Sequence, residues 1–154
     1  MPRQTYNHKG PAVAILGHLF DRVIKAQNTG DAINEVKITY GNLASMVVYG
    51  TMEKQYTVRN IKYPLGLIKR AIIIVNKERS FPIPQISFIV VDAGSMLAHG
   101  GADELDMPTS EIEQANRINS ICEFVWSDNV RSILIEEIKK GPPITTAKKI
   151  HRLL

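Results

Sequence analysis

The chain has 154 residues, 44% of them hydrophobic, and its 19 lysines and arginines against 15 acidic residues give a formal net charge of +4. That length suits one compact domain burying about two-thirds of its unfolded surface, while the lone Cys122 excludes an internal disulfide and a paired-cysteine zinc site and fits a reducing compartment. No stretch approaches the length of a membrane span, and the first residues lack the apolar core of a signal peptide, so the expected location is cytoplasmic.

In chain order, residues 11–27 predict a first helix: Leu16, Leu19, Phe20, Val23 and Ile24 recur at helical spacing, with Asp21, Arg22 and Lys25 on the other face. Pro11 suits its first turn and Asn28-Thr29-Gly30 its end. Thr39 is placed to cap a short helix over residues 40–48 that buries Leu43, Ala44 and Val47. Residues 50–54 read as a turn or loop. A further helix is expected over 64–77, with Pro64 where proline costs little and Leu65, Ile68, Ile72 and Val75 as its buried stripe. On that reading Lys62, Lys69, Arg70 and Asn76 reach solvent or a ligand. Phe81-Pro82-Ile83-Pro84 breaks the helix. Residues 85–91 are β-branched and aromatic enough for a strand, and Asp92-Ala93-Gly94-Ser95 is a turn leading to a second extended piece at 96–98. Ser110 and Glu113 form a capping box for a helix to about Cys122. Asp128 or Asn129 is placed to cap a last helix over 130–140, which Gly141-Pro142-Pro143 ends.

The charges are unevenly distributed. From Lys37 to Arg79 eight basic side chains face only Glu53 and Glu78, a local net charge of +6. From residue 80 to residue 116 six carboxylates stand without a lysine or arginine. A basic patch attracts phosphate through counterion release and steering, although a charge run is also a common solvated face.

A short helix, a basic helix and a strand pair together predict an α+β fold: a mainly helical winged helix-turn-helix with a short β-hairpin wing and extra C-terminal helices. It is expected as one domain over residues 1–143 with a basic tail at 144–154, carrying Lys148, Lys149, His151 and Arg152. Ile38-Thr39-Tyr40-Gly41-Asn42-Leu43-Ala44, Pro64-Leu65-Gly66 in the basic helix and Phe81-Pro82-Ile83-Pro84 before a hydrophobic strand resemble the winged-helix DNA-binding domain of the O6-alkylguanine-DNA alkyltransferases and alkyltransferase-like proteins. The chain is also similar to small prokaryotic proteins of uncharacterised role with a Tyr-Gly-Glu-Leu-Ala pattern, matched further by Ile89-Val90-Val91 with Gly94 and by Phe124-Val125-Trp126-Ser127. The resemblance spans residues 38–127 and implies DNA binding through the basic helix.

The alkyltransferase nucleophile, a cysteine in a Pro-Cys-His-Arg context, is missing: Gln85-Ile86-Ser87-Phe88-Ile89 follows Pro84, and Cys122 sits in the apolar context Ile121-Cys122-Glu123-Phe124. Phe124 and Trp126 read as core anchors. His99, Asp103, Glu104 and Asp106 bring hard ligands into one glycine loop, and Asp21 with Glu35-Val36-Lys37 loosely imitates a metal-dependent nuclease set. Neither has the spacing of a specific site, so no cofactor, metal or catalytic residue is expected. The first functional expectation is therefore a non-catalytic DNA-binding module. In it Lys54, Arg59, Lys62, Lys69, Arg70 and Lys77 meet phosphates while Asn60 and Tyr63 approach base edges. The alternative is an adaptor on the same scaffold that meets a protein partner through its acidic loop and C-terminal helices, and a weaker one is a small metal-dependent nuclease.

Overall fold

The computed structural model describes residues 7–79, 82–95 and 110–141. Those residues are mainly helical, with two small sheets. Helix α1, Lys9–Gln27, is the central element and packs against α4 (Lys62–Glu78), α5 (Glu111–Glu123) and α6 (Asp128–Lys140). Its Ala12, Ile15, Leu16, Leu19, Phe20, Val23 and Ala26 are buried, a wide apolar stripe whose larger members each contribute about 1.5–3 kcal/mol. The Asn28 and Thr29 amides and the Thr29 hydroxyl close its last turn on carbonyls of the helix.

Helix α2, Ala32–Glu35, is a single turn held to α1 by Arg22, whose Nε donates to the Val36 carbonyl at 2.8 Å. Strand β1, Ile38–Thr39, then pairs in parallel with β4, Val90–Val91, joining Ile38 to Val90 and Thr39 to Val91. Thr39 also caps α3, Tyr40–Ala44, by accepting from the Asn42 amide at 3.2 Å, as its position before the helix predicts.

Strands β2, Val48–Tyr49, and β3, Lys54–Gln55, form an antiparallel hairpin between α3 and α4. Its loop takes Gly50 to φ 76° and Glu53 to φ 52°, so glycine relieves the strain at one of the two left-handed positions. A reciprocal turn follows, in which Asn60 Oδ1 accepts from the Thr57 amide at 2.6 Å and Thr57 Oγ1 accepts from the Asn60 amide at 3.2 Å.

Helix α4 begins at Lys62 and has Pro64 inside its first turn, where the missing N–H has no intrahelical acceptor to lose. From Pro64 to Ile72 every side is buried, because α1, α6 and the segment at 86–89 all pack on it. After the helix, Asn76 holds the returning chain by donating to the Ile83 carbonyl at 2.9 Å and accepting from the Ile83 amide at 2.7 Å.

Helix α5 is capped by Ser110, which accepts from the Glu113 amide at 3.1 Å. Trp126 lies between α5 and α1, 5% exposed, with its indole donating to the Ile121 carbonyl at 2.7 Å and its ring edge-on to both Phe20 and Phe124. That is the core position expected of it, while Phe124 is half-buried against the same core.

Several expectations are corrected. Residues 86–89 form a 3-10 turn, Ile86–Ile89, and only Val90–Val91 is extended. A strand would send alternate side chains to opposite faces, whereas Ile86, Ser87, Phe88 and Ile89 are all buried in succession. The hairpin of the described residues lies at 48–55, where a loop was expected, and α3 is correspondingly shorter than 40–48. Ser127, rather than Asp128 or Asn129, caps α6 by accepting from the Val130 amide at 3.3 Å. The second wing strand at 96–98, the acidic glycine loop and the tail at 144–154 lie outside the described residues.

Candidate interaction surface

The eight side chains predicted to contact DNA separate into two groups. Lys69 and Arg70 are 5% and 1% exposed, so neither can reach a nucleic-acid backbone, contrary to the sequence expectation. The physical reason is packing: the helix carries apolar residues all round, and α6 covers the face that charge patterning assigns to solvent. Arg70 lies under Gly141, at the end of α6, and burial lowers its guanidinium pKa while the charge of Glu137, itself 7% exposed, opposes that shift. Lys69 places its ammonium 5.4 Å from the centroid of the Phe88 ring. Asn76, also expected to face a ligand, is occupied by the backbone of Ile83.

Lys54 and Arg59 remain exposed, Lys62 and Tyr63 are half-exposed at the start of α4, and Lys77 is exposed in its last turn. Lys62 lies over the Tyr63 ring at 5.6 Å. Asn60 is committed to Thr57 and donates to the Tyr49 hydroxyl at 3.3 Å, so it organises the turn before α4. Fifteen positions apart, at a rise of about 1.5 Å each, Lys62 and Lys77 stand roughly 22 Å apart along the helix. They therefore serve no common small site.

Around Lys54 and Arg59 the structure gathers apolar side chains that sequence reasoning missed. Met46, Val48, Met52 and Val58 are 47%, 46%, 82% and 61% exposed. They stand on the hairpin and the turns beside it: Val48 pairs with Gln55, Gln55 donates to the Ser45 carbonyl at 3.1 Å, and Val58 approaches α3 at Gly41. The available signal was the run Met46-Val47-Val48 and Met52 beside polar residues, too short to show a strand period.

The hairpin is fastened to the core by an aromatic cluster. His8, just before α1, has its ring centroid 5.4–5.7 Å from those of Tyr49, Tyr56 and Tyr63. Its Nδ1 lies 2.7 Å from the Tyr56 hydroxyl. His8 is 5% exposed, and burial lowers its pKa, while burial and then the neighbouring Tyr49 push that of Tyr56 up. His8 read in isolation suggests a surface position; it is a buried strut.

The chemical alternatives separate in the same way. Cys122 is half-buried, and burial, followed by the charge of Glu123, raises its thiol pKa, which opposes nucleophilic use. Asp21 is exposed on α1 and Glu35 on α2, and among the described residues no three His, Cys, Asp or Glu side chains gather where a metal ion could be held. His99, Asp103, Glu104 and Asp106 are outside the described residues. Among those residues, no helix is long and apolar enough to cross a membrane. No protein-family model matches the chain, and no curated protein or solved structure matches it.

Proposed function

We propose that the chain is a protein-interaction adaptor on a winged-helix-type scaffold, and that its hairpin surface docks an acidic partner segment carrying apolar anchors. The order β1, α3, the β2–β3 hairpin, α4 and β4, with β1 and β4 paired in parallel, is the basis of the scaffold reading. The observation that carries the function is the exposure of Met46, Val48, Met52 and Val58, all more than two-fifths exposed, on the hairpin and its flanking turns, the same stretch of chain that exposes the cations Lys54 and Arg59. Exposed apolar side chains concentrated in one patch mark interaction sites, and methionine adapts its shape to a partner at low cost. Burying each such side chain supplies about 1.5–3 kcal/mol before association costs. The cations add steering and favour a partner of opposite sign.

Nucleic acid on the same surface is a second reading, favoured by Lys54, Arg59 and Lys62 beside the Tyr63 ring. The readings separate on what Met52 does, since phosphate contacts need cations and not a thioether. Selection from a random peptide library should enrich acidic segments with spaced apolar residues. Met52→Asp and Val58→Asp should each weaken the selected peptide by tenfold or more, about 1.4 kcal/mol, with the circular dichroism spectrum unchanged. Salt-sensitive binding to duplex DNA that Met52→Asp leaves intact, with no acidic peptide enriched, would replace the adaptor reading by the nucleic-acid one.

A further inference from the structure

Methionine is among the residue types most often fully buried, since its flexible thioether fills gaps in a core. Both methionines of the described residues are instead in solvent, Met46 at 47% and Met52 at 82% exposure, and neither belongs to the hydrophobic core. The backbone holds them there. Met52 lies in the loop of the β2–β3 hairpin between Gly50 at φ 76° and Glu53 at φ 52°, and the Glu53 amide closes that loop on the Gly50 carbonyl at 3.2 Å. The Met46 amide donates to the Leu43 carbonyl at 3.0 Å, in the turn that leads from α3 to β2.

The remaining sulfur and the indole of the described residues are shielded. Trp126 is 5% exposed and its indole donates to the Ile121 carbonyl at 2.7 Å. Cys122 is half-buried, and burial, followed by the charge of Glu123, raises its thiol pKa, which withholds the thiolate that peroxide attacks. Among the described residues, an oxidant arriving from solvent therefore meets the thioethers of the hairpin region first.

We propose that Met52 and Met46 are reversible oxidation sites, and that hydrogen peroxide turns off docking at the hairpin by converting their thioethers to sulfoxides. This switch rests on the adaptor reading of the hairpin surface. A sulfur lone pair takes one peroxide oxygen, so that an S–O bond forms as the O–O bond breaks, and the second oxygen departs as water with the proton of the first. Methionine loses two electrons and peroxide gains two. The product is polar and would have to be desolvated to enter an apolar contact. Its oxygen also carries partial negative charge towards an acidic partner, so both effects oppose docking. Because the two side chains lie outside the core, the change falls on the surface and leaves the fold in place.

The test exposes the intact protein to graded hydrogen peroxide and follows each methionine by peptide mass spectrometry. In parallel, fluorescence anisotropy measures a labelled acidic peptide enriched on the untreated protein and chosen without methionine, cysteine or tryptophan. Met52 should oxidise in the native protein within about twofold of its rate in the urea-unfolded chain, with the circular dichroism spectrum unchanged. Once Met52 and Met46 are fully oxidised, peptide affinity should fall at least about tenfold. It should return after repair by the two reductases specific for the two sulfoxide epimers. The double variant Met46→Leu/Met52→Leu keeps Met1, Met96 and Met107, and whatever affinity it starts from should change less than about twofold on treatment. Unchanged binding by the fully oxidised protein overturns the inference and leaves the adaptor reading standing. A loss that the double variant shares also overturns it, because the sensitive residue then lies elsewhere. If no acidic peptide binds the untreated protein, the adaptor reading fails and the switch with it.

Discussion

Helix α4 and the β2–β3 hairpin draw on similar ingredients, lysine or arginine interspersed with aliphatic residues, and end in opposite environments. In α4 the stretch from Pro64 to Ile72 is enclosed by α1, α6 and the 3-10 turn, and so Lys69 and Arg70 are carried into the interior with the helix. In the hairpin the strands are two residues long, too short to turn every apolar side chain inward, and Met52 and Val48 stay in solvent beside Lys54. Local charge density therefore says little about exposure: the apolar density around each cation decides it.

The sharpest way to break this contrast is to truncate one side chain in each region. Ile72→Ala in α4, which is 0% exposed, should cost about 2–5 kcal/mol, and Met52→Ala should stay within about 0.5 kcal/mol, both read from urea denaturation. Equal costs would mean that the hairpin is as covered as the helix.

Next in size is the cover over Arg70. A Cβ on Gly141 would overlap the Arg70 guanidinium, which at 1% exposure has nowhere to move, so Gly141→Ala should cost about 1–3 kcal/mol. Gly17→Ala is the control. Its Cβ would meet Arg131 Nη2 at 2.8 Å, but Arg131 is half-exposed and can swing away, so the variant should be neutral or gain up to about 1 kcal/mol from helix propensity in thermal melts. Ser127→Ala, which uncaps the helix lying over α4, should lose about 1 kcal/mol.

The smallest effect concerns His8, which joins the two regions through Tyr49 on the hairpin and Tyr63 on α4. Burial lowers its pKa, so the unfolded chain takes up this proton more readily than the folded one. The associated stability is fully present above the unfolded value near 6.5 and is lost as pH falls through the lower folded value. Denaturation midpoints should therefore decline in that acid range for the unaltered chain, and His8→Phe should flatten the decline.

Much of the helical framework was legible because its signals are local. Thr39 and Ser110 stand where caps are expected and accept from the amides three residues on, and the apolar spacing of α1 and α4 marks both helices to within two residues. The parallel pairing of Ile38 with Val90 was not legible, since two-residue strands 52 positions apart carry no period and no turn between them. Nor was the fate of Arg70, because a buried cation depends on Glu137 and Gly141 from a helix more than sixty residues later. Of the expected contact residues, Lys54 and Arg59 stay on the surface in question, but their apolar neighbours became visible only once the hairpin brought residues 48 and 55 together.

The central claim is that the basic helix is covered while the hairpin is open, and lysine acylation of the folded protein by a small reagent, followed by peptide mass spectrometry, tests it most directly. Lys54, exposed on the hairpin, should react readily, and Lys69, at 5% exposure, should react many-fold more slowly until denaturant is added. Equal rates for Lys54 and Lys69 in the native protein would contradict the account.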